Sequence, residues 1–331
     1  MAAQDRDGES ERAETVGDVG EFGLIDRIVA RLPVGGGVIV GPGDDTAVVA
    51  APDGRVVITT DVLVEGRHFR REWSSAQDVG HKAAAASLAD VAAMGAQPTA
   101  LVVGFGAPTW LPADWAADCS TGLAEEAARA GASVVGGDVV SAECVIVSVT
   151  AIGDLQGRRP VLRSGAQPGD VLALAGDLGE SAAGLALLRA GHRDPGQVLA
   201  AHRRPQPPYP AGPAAAMAGA SSMIDVSDGL VADARHLAEA SGVIIEIDTS
   251  QLPRSPNVVL AAERLGCDPQ DWLLQGGEDH ALLASFPPAT TMPAPFRPIG
   301  RVRATVPGQV GPGVQVDGIR WSTGGGFDHF D

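Results

Sequence analysis

The sequence predicts two mixed α/β domains in tandem. Three observations lead there. The chain has 331 residues, more than one ordinary domain needs. Both halves alternate helix-period or Ala-rich runs with short runs rich in Val and Ile. A stretch rich in Gly, Pro and Arg, DLQGRRPVLRSGAQPGD (154–170), lies between them. The expected division is a disordered acidic tail over 1–20, an N-terminal domain over 21–153 and a C-terminal domain over 154–331.

In chain order, GEFGLIDRIVARL (20–32) has helical periodicity, and VVITTDVLV (56–64) reads as a strand. QDVGHKAAAASLADVAAMG (77–95) is a helix rich in Ala and closed by Gly95. TALVVGFG (99–106) is a strand, and DWAADCSTGLAEEAARAG (114–131) is a second helix, closed by Gly131. SVVGG (133–137) is a short strand running into a glycine turn, and ECVIVSVTAIG (143–153) is a strand. The second half opens with the strand DVLALAG (170–176) and the helix SAAGLALLRAG (181–191). RRPQPPYPAGP (203–213) reads as an irregular crossing loop. Residues 223–242 are strand end, turn and helix; 243–250 is a strand; 258–266 is a helix; 280–286 and 296–302 are strands.

Hydrophobic residues make up 45% of the chain and aromatics only 4%, so the core is built of Ala, Val, Leu and Ile. The formal net charge of −17 argues against binding to nucleic acid or to an anionic membrane. Cys119, Cys144 and Cys267 are odd in number and fit neither a zinc site nor a disulfide framework, so a reducing, cytoplasmic setting is expected. The first residues are acidic and polar, unlike a signal peptide, and no apolar run reaches membrane-spanning length. Lys82 is the only lysine and follows His81 rather than a glycine, which excludes a Walker A loop. HExxH, GxSxG, CxxC and a complete GxGxxG are also absent from the sequence.

Chemistry concentrates in six acidic motifs: GPGDDTAVV (41–49), TTDVLVEGRHF (59–69), SLADVAAMG (87–95), VVGGDVV (134–140), IDVSDGLVAD (224–233) and QGGEDHALL (275–283). Each sets Asp or Glu among small residues beside an apolar run. Two such charges about 4 Å apart repel by roughly 4 kcal/mol at an effective dielectric of 20. Their convergence therefore implies cations. Oxygen-only ligation points to Mg²⁺, and Mg²⁺ points to a phosphate-bearing substrate. Asp44 and Asp45 are adjacent and point to opposite sides, so at most one joins a cluster; an Asx turn also explains the pair. Asp61 ends an apolar strand beside Thr59 and Thr60. Asp90 is the sharpest signal, since a carboxylate inside an Ala-rich helix with apolar flanks needs a cation or a basic partner. Asp138 follows two glycines that allow close approach to a phosphate. Ser227 or Asp228 can cap the next helix, which leaves Asp225 unexplained. Glu278 and Asp279 follow two glycines, and Arg163 near the boundary is a candidate phosphate donor. His68 is the histidine of EGRHF beside the acids.

Taken together, GEFGLI, GDDTAVV, TTDVLVEGRHF, SLADVAAMGA, GGD, RSGAQPGD, IDVSDGL, GGEDHALL and the terminal GFDHF resemble the thiamine-monophosphate kinase family, in order, over residues 20 to 330. The resemblance implies a two-domain fold of the aminoimidazole-ribonucleotide-synthetase type, a homodimer paired through its N-terminal halves, and several Mg²⁺ ions. It implies transfer from ATP to thiamine phosphate, giving ADP and thiamine diphosphate. It makes Asp45, Asp61, Asp90, Asp138 and Asp225 metal ligands, with Thr59 and Thr60 beside them and Asp228 on a further metal. Gly137, Asp138, Arg163 and Ser227 would meet ATP; His68, Glu278 and Phe327 would meet thiamine phosphate. The chain departs from the family pattern at Pro42 and at His280, where an aromatic is usual. Rivals of the same fold are aminoimidazole ribonucleotide synthetase, selenophosphate synthetase and the hydrogenase maturation factor. The last two would want a cysteine near the N-terminus or at the C-terminus, and the sequence has neither. A non-catalytic nucleotide or thiamine-phosphate sensor is the alternative of another class.

Overall fold

In a computed structural model, residues 14–33, 35, 37–40, 48–194, 196–305 and 311–322 are described. The first half contains α1 (Val16–Val29), β1 (Val38–Val40), β2 (Val48–Val49), β3 (Val57–Val64), α2 (Ala76–Ala93), β4 (Gln97–Ala107), α3 (Ala113–Arg129), β5 (Ser133–Ser141) and β6 (Ile146–Asp154). The second contains β7 (Val171–Ala175), α4 (Glu180–Arg189), α5 (Gly196–Arg203), α6 (Ala211–Ala218), β8 (Ser222–Val226), α7 (Leu230–Ser241), β9 (Ile244–Ile247), α8 (Pro256–Leu265), α9 (Pro269–Gln275), β10 (Ala281–Phe286), β11 (Arg297–Arg303), β12 (Gly313–Val316) and β13 (Ile319–Arg320).

β3, β6, β4 and β5 form a four-stranded sheet in that order, with β4 and β5 parallel. A seven-stranded sheet runs β13-β12-β9-β11-β7-β10-β8. The first helix begins at Val16, earlier than the expected tail boundary, because Thr15 and Asp18 form a reciprocal capping box. Its chain kinks at Gly20, which adopts φ 68°. The segment read as a crossing loop also holds more structure than expected: α5 ends at Arg203 and α6 starts at Ala211.

The helix α2 organises the molecule. Ser75 caps it, with Asp78 answering from the third position. Its alanines let neighbours close in from several sides. A Cβ on Gly122 of α3 would overlap Gln77 O, and one on Gly212 of α6 would overlap Ala92 O. Sheet, α3 and α6 thus bury α2 almost all round, which places any charge it carries in the interior. Strand alternation fixes the rest. Thr59, Asp61 and Leu63 face α2, while Ile58, Thr60 and Val62 face the other way. Among the described residues nothing covers that second face, which leaves Ile58, Val62, Val102 and Val140 exposed. Among the described residues, no helix is long and apolar enough to cross a membrane.

Candidate active site

A cleft of about 210 Å³ opens where α2 and β3 meet β8, lined by Thr59, Asp90, Met94, Arg163, Met223 and Asp225 among others. Thr59 Oγ1 donates to Asp90 Oδ2 at 2.8 Å. Ser87, one turn before Asp90, donates to Asp61 Oδ2 at 2.7 Å and to Val149 O at 3.0 Å. Burial, together with the charges of Asp225 and Asp61, pushes the Asp90 carboxyl up to about 7, against the pull of the Thr59 hydrogen bond. Asp61 and Asp225, 164 residues apart in the chain, therefore both act on Asp90 at the cleft.

From the second half, Asp225, next to last in β8, contacts His280 Nδ1 at 3.3 Å. Burial disfavours charge on His280, but the Asp225 contact and the nearby Glu278 and Asp90 charges outweigh it and raise its pKa. Two turns interlock here. Glu278 N donates to Ser227 O at 2.8 Å and His280 N to Val226 O at 3.0 Å. Gly277 admits this approach, since a Cβ there would overlap Ser227 O. Glu278 and His280 both hold positive φ, 67° and 54°, a strain found where a site dictates the backbone. Between them Asp279 turns away and accepts from Gly179 N and Ser181 N, at 2.6 and 2.8 Å, to cap α4. Burial lifts that carboxyl to about 7. Asp233 accepts from Asp228 N and Gly229 N, both at 3.1 Å, and is lifted to about 8 by burial and by Asp225 and Asp228.

His68 Nδ1 accepts from Val64 N at 3.0 Å in the turn after β3. Lys82 bridges that turn to the second half: its Nζ donates to His68 O at 3.2 Å and pairs with Glu278 Oε1 at 2.8 Å. The partner of Lys82 is thus Glu278, not the Asp90 two turns along the same helix.

Not every expected residue joins the cleft within one chain. Thr60 and Asp138 point from the uncovered face of the four-stranded sheet, opposite to Asp61 and Asp90, because neighbouring strand residues alternate sides. Asp138 is exposed and accepts from Val139 N at 2.9 Å. Gly137 lies hard against β4, where a Cβ would overlap Val103 O, so its packing alone requires glycine. Asp45 and Phe327 lie outside the described residues. Among the described residues, no three His, Cys, Asp or Glu side chains stand close enough to enclose a metal ion. The donors are nonetheless all hard oxygens, and burial together with the neighbouring Asp225 and Asp61 charges makes a bare Asp90 carboxylate unfavourable. That fits Mg²⁺, which takes one or two carboxylates and completes its shell with substrate phosphates and water.

The AIR synthase related protein N-terminal domain matches residues 43–155, and the corresponding C-terminal domain matches residues 167–286. The thiamine-monophosphate kinase of Mycobacterium tuberculosis (strain ATCC 25618 / H37Rv) is 52% identical over 318 residues, covering 96% of this chain and 93% of that protein. The chain belongs to the thiamine-monophosphate kinase family. The Corynebacterium glutamicum member is 42% identical over 304 residues, covering 88% of each chain. A solved structure of AaThiL complexed with AMPPCP and TMP superposes with a TM-score of 0.77 at 35% identity, covering 94% of this chain and 97% of that one. Three residues that contact the expected acids were not assigned a role from sequence: Ser87, Lys82 and His280. Ser87 carried a usable signal, since its place one turn before Asp90 puts both on one side of α2.

Proposed function

We propose that the chain transfers the γ-phosphoryl group of ATP to the phosphate of thiamine phosphate, giving ADP and thiamine diphosphate. The observation that carries this reading is that Asp90 and Asp225 line one cleft while Asp61, held by Ser87, is near enough to act on Asp90, in a chain of this family. Donor and acceptor are both anions, so the reaction needs charge cancelled where they meet. Asp61, Asp90 and Asp225, with Asp45 and Thr59, would hold Mg²⁺, and Asp228 a further ion. When bound, Mg²⁺ supplies the positive charge that lets two phosphates approach in line. The protein's part is orientation. Thr59 and Ser87 lock the Asp90 and Asp61 carboxylates. Arg163 on the rim, with Ser227, takes the ATP phosphates, Gly137 joining them only if chains pair, while His68, Glu278 and Phe327 take the acceptor. The attacking phosphate oxygen is already ionised at neutral pH, so the site needs no strong general base.

The active form is a cytoplasmic homodimer in this reading, and each chain divides into an N-terminal domain over 21–153 and a C-terminal domain over 154–331. The uncovered apolar face of the four-stranded sheet supports pairing through the N-terminal halves. Such pairing carries Thr60 and Asp138, which lie on that face, into the interface. The test is incubation with γ-labelled ATP, Mg²⁺ and thiamine phosphate. Label in thiamine diphosphate and none retained on the denatured protein is the expected result. Release of inorganic phosphate alone refutes the kinase, and acid- or base-stable protein label refutes direct transfer.

A further inference from the structure

Lys82 is the only lysine in the chain and is 4% exposed, midway along a buried Ala-rich helix. Burying an ammonium there is costly, and a buried ion pair is a poor way to gain stability. Its two partners come from the two halves of the chain: the carbonyl of His68 at 3.2 Å and Glu278 Oε1 at 2.8 Å. The other oxygen of Glu278 lies 3.6 Å from His202 Nδ1. His202 cannot answer the carboxylate charge, because burial and the Lys82 charge push its pKa down to about 3 and it stays neutral. Its Nδ1 lies 3.1 Å from Ser181 Oγ instead. Lys82 is therefore the cation in direct contact with Glu278, and the Glu278 side chain still keeps 34% of its surface exposed.

We propose that Lys82 is the positioning residue for the ring end of the acceptor substrate. It ties the His68 turn to Glu278 across the two halves and cancels the Glu278 charge, so Glu278 meets the ligand as the hydrogen-bond acceptor of a neutral pair. A neutral pair favours a ring carrying N–H donors over a ring carrying a fixed positive charge. For thiamine phosphate that assigns Glu278 to the aminopyrimidine and leaves the thiazolium nearer the carboxylates. The spacing agrees: Lys82 and Asp90, eight residues apart on α2, are separated by about 12 Å along the helix axis. This rests on the proposed reading of His68 and Glu278 as the acceptor side of a thiamine-phosphate kinase.

The experiment is steady-state kinetics on wild type, Lys82→Met and Lys82→Arg. The acceptors are thiamine phosphate and its analogue with hydroxyl in place of the pyrimidine amino group. Formation of thiamine diphosphate by wild type is the control; its absence sinks the kinase reading rather than this one. Lys82→Met is expected to raise KM for thiamine phosphate at least ~10-fold while KM for ATP and kcat move less than about 3-fold. Its preference for the amino over the hydroxyl compound falls toward unity, and Lys82→Arg recovers part of both. An unchanged KM for thiamine phosphate, or an equal rise in both KM values, overturns the proposal. Should Lys82→Met fail to fold, Lys82→Met/Glu278→Gln leaves no buried carboxylate unpaired. Because Lys82 acts through Glu278, the double variant should match Glu278→Gln alone within about 2-fold, and a further additive loss contradicts the proposal.

Discussion

Replacing Asp90 by Asn should make the protein more stable and less active. The Asp90 carboxyl is raised from 3.8 to about 7 by burial and by the Asp225 and Asp61 charges. A folded-state pKa above the unfolded one means that the native state holds the proton more tightly. The penalty is absent below the unfolded value, grows as pH rises, and is complete above the folded value. By linkage it reaches on the order of 4 kcal/mol at pH 8, of which about 2–3 kcal/mol accrues between pH 5 and pH 8. Asn keeps an oxygen to accept from Thr59 and carries no charge. Urea denaturation of nucleotide-free protein at both pH values measures the effect. Wild type should lose more stability between them than Asp90→Asn, and the variant should exceed wild type at pH 8 by ~1–3 kcal/mol. Its kcat should fall at least ~10²-fold, as when a preorganised charge is removed. A variant that is less stable at pH 8, or that turns over near normally, refutes the reasoning.

Other outcomes follow from the packing around α2. His81 contacts Glu126 at 3.0 Å and Glu125 at 2.8 Å, which raise its pKa against burial and the Arg204 charge. Its contribution is full below the unfolded value of 6.5 and is lost as pH rises through the folded value, so His81→Gln should flatten the stability decline above neutral pH. Equal slopes in thermal melts from pH 6 to 9 would falsify that. Gly122→Ala should cost about 1–3 kcal/mol by chemical denaturation, despite the better helix propensity of Ala, because its methyl overlaps Gln77 O. A stabilised Gly122→Ala would mean that α2 and α3 are further apart than described.

The fold was readable where local chemistry and tertiary need agree. The alanines and Gly95 announce α2, and the Val-rich run announces β3. Reading failed where a rule of thumb was outvoted. The prolines after Arg203 do mark a loop, but a shorter one than read, because α5 runs to Arg203 and α6 already starts at Ala211. α9 was missed although Asp268 and Pro269 mark a helix start, since Asp268 accepts from Gln270 N. Within the site, Asp90 was legible because an acid in an apolar helix demands a reason. Thr59 and Thr60 were grouped, although strand alternation separates them, and Asp138 follows the same logic. The pairing of Lys82 with Glu278 was beyond reach, because it joins residues from the two halves and has no local signature.

The central claim is that carboxylates from both halves of the chain share one cation-dependent phosphate site. Mn²⁺, read by electron paramagnetic resonance as a stand-in for Mg²⁺ in the presence of a non-hydrolysable ATP analogue, tests it most directly. Wild type should bind Mn²⁺, and Asp90→Asn in the first half and Asp225→Asn in the second should each weaken it at least ~10-fold, a loss of about 1.4 kcal/mol. Undiminished binding in either variant contradicts the account.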